Sequence, residues 1–113
     1  MELYNKLTLK TLIDNQQEAF YMPKSLFKGY KTLRLETKLA YVAILDTLMM
    51  QPQYDRDNQS FIKVNNPNIQ KSLATLANKT VDQEKINKYV EELKEAQLIE
   101  VEKQDLFVYN LES

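Results

Sequence analysis

Apolar and polar residues recur along the chain with periods that divide it into short elements. Between Leu35 and Met50 the apolar positions repeat every three or four residues, which predicts a helix. Its apolar face is wide, so we expect this helix to lie in the core. The polar stretch 51–60 contains Pro52 and predicts a loop, and the alternating segment FIKVN after it predicts a short strand.

A capped helix is predicted after this strand. Asn66 is a favourable N-cap, Pro67 suits the first helical position, and the apolar stripe stops at Asn78. The stripe consists of Ile69, Leu73, Leu76 and Ala77.

Another helix is predicted beyond the turn NKT. Asp82 is its N-cap, because Val81 and Ile86 flank that residue as a hydrophobic staple. The helix extends from about residue 83 to residue 97. The residues predicted to be buried on it are Ile86, Tyr89, Val90, Leu93 and Ala96.

The two ends of the chain carry strand-like patterns. Residues 99–111 alternate on both sides of a tight turn, which predicts a hairpin. Residues 1–18 begin with an alternating pattern that predicts a short strand or a docked arm. Between them, PKSLF predicts a short helical turn that Pro23 opens and Gly29 ends.

The order helix, strand, helix, turn, helix and hairpin is typical of a winged helix. The sequence therefore predicts an α+β protein with a winged helix-turn-helix. We expect the winged-helix domain to cover residues 19–111, an N-terminal arm to cover residues 1–18, and the wing to be a C-terminal two-stranded hairpin.

The composition argues against several kinds of catalytic and binding site. The chain has no His and no Cys, and its single glycine excludes a glycine-rich phosphate loop. We therefore expect no enzyme activity, no metal site and no cofactor. The longest apolar run, LAYVAIL, is far shorter than the roughly 20 residues of a membrane-spanning helix, so we expect a cytoplasmic protein without a membrane partner.

The net charge of −1 is unevenly distributed. Residues 1–40 hold 7 Lys and Arg against 4 Asp and Glu, whereas residues 41–113 hold 8 against 12. The acidic second half argues against DNA binding, because affinity for nucleic acid comes mostly from cations that face phosphates. The most basic stretch contains Lys24, Lys28, Lys31, Arg34 and Lys38, opposed by Glu36.

Two segments resemble a known family. FYMPKSLF and YKTLRLETKLAYVAILDTL, followed by a short strand, a helix-turn-helix and LKEAQLIEV, resemble the N-terminal domain of the plasmid replication initiator RepA of low-GC Gram-positive bacteria. The resemblance covers about residues 19–109. It implies a winged helix that forms a homodimer and binds repeated double-stranded DNA sequences at a plasmid replication origin.

The resemblance also implies which residues contact DNA. The recognition helix would enter the major groove, and the wing and flanking cations would hold phosphates. The implied residues are Gln83, Lys85, Asn87 and Lys88 on the last helix, Lys79 and Thr80 in the turn, Asn68 and Lys71 on the preceding helix, Lys31 and Arg34 in the basic stretch, and Lys103 in the wing.

Two features depart from the family. The wing turn EKQDL is short and brings one cation, Lys103. Family chains continue into a C-terminal domain that works with host replication proteins, whereas this sequence ends at Ser113. We expect such host partners only through a domain that this sequence does not include.

Several features also have a second interpretation. The front of the last helix either reads base edges or is a solvated face held by the Glu84–Lys88 pair. The basic stretch is either a phosphate clamp or the solvated side of a loop. Aromatic residues near it either stack on bases or pack inside, and their apolar neighbours favour packing. These aromatic residues are Phe20, Tyr21, Phe27 and Tyr41.

Apolar residues of the N-terminal arm are likewise open to two interpretations, a dimer contact or docking on the chain's own core. They are Leu3, Tyr4, Leu7 and Leu9. For the whole chain, the main hypothesis is sequence-specific binding of double-stranded DNA at origin repeats. The alternative is a winged-helix module for protein interaction or self-association with weak or no DNA binding, which the acidic last helix and the short wing favour.

Overall fold

The computed structural model describes residues 1–15 and 18–112. Within these residues the chain forms five helices and five strands, and the predicted α+β class is confirmed. The helices are α1 (Lys6–Asn15), α2 (Lys24–Lys28), α3 (Leu35–Met50), α4 (Pro67–Ala77) and α5 (Gln83–Glu95). The strands are β1 (Glu2–Leu3), β2 (Gln53–Tyr54), β3 (Ser60–Lys63), β4 (Ile99–Glu102) and β5 (Asp105–Asn110).

The sheet is antiparallel and centred on β5. One edge of β5 pairs with β4 along most of its length, and the other pairs with β3 near its beginning and with β1 near its end. Tyr4, directly after β1, lies between β5 and β3. Its N–H donates to the Val108 carbonyl of β5 at 2.8 Å, and its carbonyl accepts from the Ser60 N–H of β3 at 3.0 Å. β2 pairs with the outer edge of β3.

Helix α3 forms the centre of the core, as its apolar pattern predicts. It is buried on almost every side, and Ile44, Leu45 and Leu48 are fully enclosed. Leu35 is an exception to the predicted stripe, because it occupies the first position of the helix and is 63% exposed. α4 packs on α3, where the Ser72 hydroxyl donates to Asp46 Oδ2 at 2.9 Å.

Local signals set the ends of α4 and α5. The Asn66 side chain accepts from the Asn68 N–H, and Asn78 ends α4 in the left-handed conformation with φ 55°. Gln97, at φ 61°, ends α5, where the Gln97 N–H donates to the Lys94 carbonyl and the Leu98 N–H to the Leu93 carbonyl. This is a Schellman arrangement, which satisfies two carbonyls that α5 leaves unpaired.

Two parts of the chain differ from the prediction. The strand or docked arm expected near the N-terminus is a strand only at Glu2–Leu3, and the segment Lys6–Asn15 is helical. Tyr4 and Leu9 are buried in the chain's own core, whereas Leu7 is 74% exposed. The stretch 51–60, expected to be a loop, contains β2, which pairs with β3 across a turn in which Asp55 Oδ1 accepts from the Asp57 and Gln59 N–H groups.

Candidate nucleic-acid interface

Helix α5 presents one apolar and one polar face. Asp82 caps it, with Oδ1 accepting from the Lys85 N–H at 2.9 Å, and the flanking staple residues Val81 and Ile86 are both buried. The inward face consists of Ile86, Tyr89, Val90 and Leu93, as predicted, whereas Ala96, also predicted to be buried, is the C-cap and is only half-buried. The four residues of α5 predicted to contact DNA all lie outside this inward face, in the first two turns of the helix.

The structure brings two of these four residues together. Gln83 Nε2 donates to Asn87 Oδ1 at 2.9 Å, so the two amides form a pair along the helix. Asn87, Lys85 and Lys88 are exposed, and Gln83 is half-buried. In the described part of the chain, neither Lys85 nor Lys88 has a carboxylate within 4 Å, so the predicted Glu84–Lys88 pair does not form.

Lys79, in the turn before α5, is engaged by an acid from α3. Its ammonium pairs with Glu36 Oε1, and the Tyr89 hydroxyl donates to the other oxygen of the same carboxylate. These hydrogen bonds from Lys79 and Tyr89 lower the pKa of Glu36 to about 2. Burial, together with the bond to Glu36, raises the pKa of Tyr89 to about 12. Thr80, the other turn residue, is exposed.

Arg34 is also bound within the protein. Its Nη2 lies 2.5 Å from Glu92 Oε2, its Nε donates to Oε1 at 3.3 Å, and the guanidinium lies 5.4 Å from the Tyr89 ring centroid. The Thr37 hydroxyl donates to the same carboxylate at 2.5 Å. Burial raises the pKa of Glu92, but the bonds from Thr37 and Arg34 outweigh it and leave that pKa below its ordinary value.

Together these contacts form a polar network between the start of α3 and the middle of α5, defined here as Arg34, Glu36, Thr37, Lys79, Tyr89 and Glu92. The network was not predicted from the sequence, in which Glu36 stands out only as the one acid of the basic stretch. It pairs Glu92, one of the acids of α5, with Arg34 and Thr37. It also removes Arg34 and Lys79 from the cations that are free to meet phosphate.

The remaining predicted contacts lie on three separate elements. Asn68, on α4, donates through Nδ2 to Gln51 Oε1 at 2.9 Å, whereas Lys71 on the same helix is exposed. Lys31 is exposed in the loop before α3, and Lys103 is exposed in the turn between β4 and β5. Within residues 1–15 and 18–112, none of these three lysines has a carboxylate within 4 Å.

Exposed acids limit the positive charge of α5. Glu84, Glu91 and Glu95 are exposed on the helix, and Glu91 Oε1 lies 3.3 Å from Lys94 Nζ. The exposed charges of α5 are thus three acids and three lysines, in the order Glu84, Lys85, Lys88, Glu91, Lys94 and Glu95. Glu84 is the exposed acid that lies between the cap residue Asp82 and the two lysines of the first two turns, Lys85 and Lys88.

The aromatic residues of the basic stretch mostly pack, as their apolar neighbours predict. Tyr41 is fully buried, and Phe20 and Tyr21 are partly buried against the core. Phe27 differs, because 36% of it is exposed on the outer side of α2.

No protein-family model, no curated protein and no solved structure matches this chain. Among the described residues, no helix is both long and apolar enough to cross a membrane.

Proposed function

We propose that this chain is a winged-helix domain that binds double-stranded DNA at the repeats of a plasmid replication origin, as a homodimer and without catalysing a reaction. The observation that carries the proposal is the sorting of charge on α5. Asp82 is used as the cap and Glu92 is paired with Arg34 and Thr37, whereas among the described residues no carboxylate lies within 4 Å of the ammonium of Lys85 or Lys88. The link to replication rests on the resemblance of the segments FYMPKSLF and YKTLRLETKLAYVAILDTL.

The topology supports the winged-helix part of this proposal. α3, β3, α4, α5 and the hairpin β4–β5 follow each other in the order of a winged helix, and β5 lies between β3 and β4. In such a domain the helix before the hairpin is the one that enters the major groove. That helix is α5.

The side chains on α5 suit base recognition. A paired Gln83 and Asn87 offer amide donors and acceptors, the groups that adenine matches in the major groove. Lys85 and Lys88 are positioned to meet guanine or phosphate. The polar network helps such recognition, because it holds the middle of α5 against α3 and so keeps the outward face in a fixed position.

The test selects duplexes from a randomised library and then titrates the enriched sequence and its scrambled version at several salt concentrations. We expect the enriched duplex to bind more tightly than the scrambled one. Gln83→Ala and Lys85→Ala should each cost about 1–3 kcal/mol on the enriched duplex and little on the scrambled one. Lys31→Ala should instead weaken both alike. Equal, weak binding to both duplexes would contradict the proposal.

The second candidate function is a protein-interaction or self-association module on the same fold. It is favoured by the wing, where Lys103 is accompanied by exposed Glu100 and Glu102 on β4. A hairpin with this charge would repel a phosphate backbone more than it attracts it. If no duplex is enriched while sedimentation shows a stable dimer, self-association is the better description.

A further inference from the structure

The outer side of α2 and the start of α3 form a second surface, distinct from α5. We define the α2 patch as Lys24, Phe27, Lys28, Leu35 and Lys38. On α2, Lys24, Phe27 and Lys28 are spaced at i, i+3 and i+4 and so share one face. Leu35 and Lys38 share a face of α3 by the same spacing, and the Lys38 ammonium lies 5.9 Å from the Phe27 ring centroid, which joins the two helices.

Lys38 is the unusual member of the patch. It is only 8% exposed, yet its ammonium makes a single long hydrogen bond, to the Gly29 carbonyl at 3.4 Å. In the described part of the chain no carboxylate lies within 4 Å of it. A buried lysine without a counter-ion is disfavoured by desolvation. Its place in the first turns of α3 is also disfavoured by the helix dipole.

The segment that precedes Lys38 in the sequence is basic. The sequence from Ala19 to Leu35 contains four cations and no acid. Glu36, the next acid along the chain, is occupied by Lys79 and Tyr89. The patch therefore has no internal source of negative charge.

The patch also exposes large apolar side chains. Phe27 is 36% exposed and Leu35 is 63% exposed, although both stand among lysines. A phosphate backbone gains nothing from contact with a leucine or a phenylalanine, whereas an apolar side chain of a protein partner would cover them. An acidic residue beside that side chain would supply the missing counter-ion.

We propose that the α2 patch binds an acidic segment of a partner protein, in which Asp or Glu pairs with Lys38, Lys28 and Lys24 while a neighbouring Leu, Ile or Phe covers Phe27 and Leu35. Peptide binding by the α2 patch is independent of DNA binding by α5, because no residue of the patch belongs to that helix.

The test selects short random peptides displayed on phage with the whole chain immobilised, and measures the enriched peptides by fluorescence anisotropy. We expect sequences that interleave acids with large apolar residues. Lys28→Glu and Leu35→Ser should each weaken their binding about tenfold, as expected for central residues of an interface. Both side chains are exposed, so the folded state should survive these changes. Lys85→Ala on α5 is the matched control and should leave peptide affinity unchanged.

Lys38→Met provides an independent readout. It keeps the length of the side chain and removes the buried charge, so the melting temperature should stay the same or rise while peptide affinity falls about tenfold. A lower melting temperature with unchanged peptide affinity would show that Lys38 serves the fold alone and would overturn the proposal. So would the absence of enriched acidic peptides, or a loss of duplex DNA affinity in Leu35→Ser and Lys28→Glu without any loss of peptide binding.

Discussion

The hydroxyl of Tyr41 joins α3 to the end of the sheet. It donates to the Tyr109 carbonyl at 2.7 Å, and burial raises the pKa of Tyr41 well above its ordinary value. Tyr41→Phe would leave that carbonyl without this donor, and we expect the free energy of unfolding to fall by about 1–2 kcal/mol in urea denaturation. Tyr54→Phe, at an exposed tyrosine, is the control and should change stability by less than about 0.5 kcal/mol. Equal effects of the two variants would contradict the role given to the Tyr41 bond.

Asp82 combines a structural role with a charge next to the proposed DNA-contacting residues. Asp82→Ala removes the cap of α5 and should lower the free energy of unfolding by about 1 kcal/mol. Asp82→Asn keeps a side-chain acceptor and removes the charge, so it should cost less stability and should strengthen binding to duplex DNA. Urea denaturation and anisotropy titration measure the two effects separately. If Asp82→Asn binds duplex no better than the wild type, the start of α5 does not lie near phosphate.

At the scale of elements, the polar network makes the contact between α3 and α5 dependent on pH. The pKa of Glu36 is lowered to about 2 by Lys79 and Tyr89, below its ordinary value of 4.5. A depressed carboxyl pKa stabilises the folded state above pH 4.5, and this stabilisation is lost as the pH falls from there towards 2. Wild-type stability should therefore decrease over this range more steeply than that of Glu36→Gln, as measured by urea midpoints at several pH values. Parallel pH profiles would show that Glu36 does not carry the effect.

The hairpin β4–β5 offers a variant that separates geometry from charge. Lys103 has φ 59°, a conformation that glycine adopts more easily than lysine. Lys103→Gly should therefore keep the hairpin and leave the stability equal or higher by up to about 1 kcal/mol. If the wing contacts phosphate, the same variant should reduce the slope of log K against log salt by about 1. An unchanged slope would mean that the wing stays away from DNA and would favour the second candidate function.

At the scale of the whole molecule, the number of free cations limits the salt dependence of DNA binding. Among the residues implied to contact DNA, the lysines without a carboxylate within 4 Å in the described structure are Lys31, Lys71, Lys85, Lys88 and Lys103. Each phosphate contact contributes about 0.9 to the slope, so we expect a slope no steeper than about −4.5 for each protomer.

Anisotropy titrations over a range of salt concentrations measure this slope, and sedimentation on and off DNA gives the number of protomers. A steeper slope would show that further cations reach phosphate, either Arg34 and Lys79 released from Glu92 and Glu36 or the other lysines of the basic stretch. The same data test the predicted homodimer, since a chain that sediments as a monomer on DNA would exclude it.

Helices and strands whose ends depend on residues close together in the sequence were predictable. The bounds of α3, the caps Asn66 and Asp82 and the hairpin follow from signals that lie within a few positions of each other. α1 was not recognised, because its helical face is narrow and its burial depends on contacts with distant parts of the chain.

The candidate site was predictable only in part, because some of its contacts join residues that are far apart in the sequence. The outward position of Lys85, Asn87 and Lys88 follows from the period of α5. The pairing of Arg34 with Glu92 does not, because 58 positions separate the two residues and only the packing of α3 against α5 brings them together.

The sequence by itself determined the α+β class, the ends of most helices and the face that α5 turns outward, because helix periods and caps act over one or two turns. Only the tertiary structure decided which charges remain free. It placed Lys79 on Glu36 and Arg34 on Glu92, and it buried Lys38 without a carboxylate. These two ion pairs join residues 43 and 58 positions apart, so only the packing of the folded chain brings their side chains together.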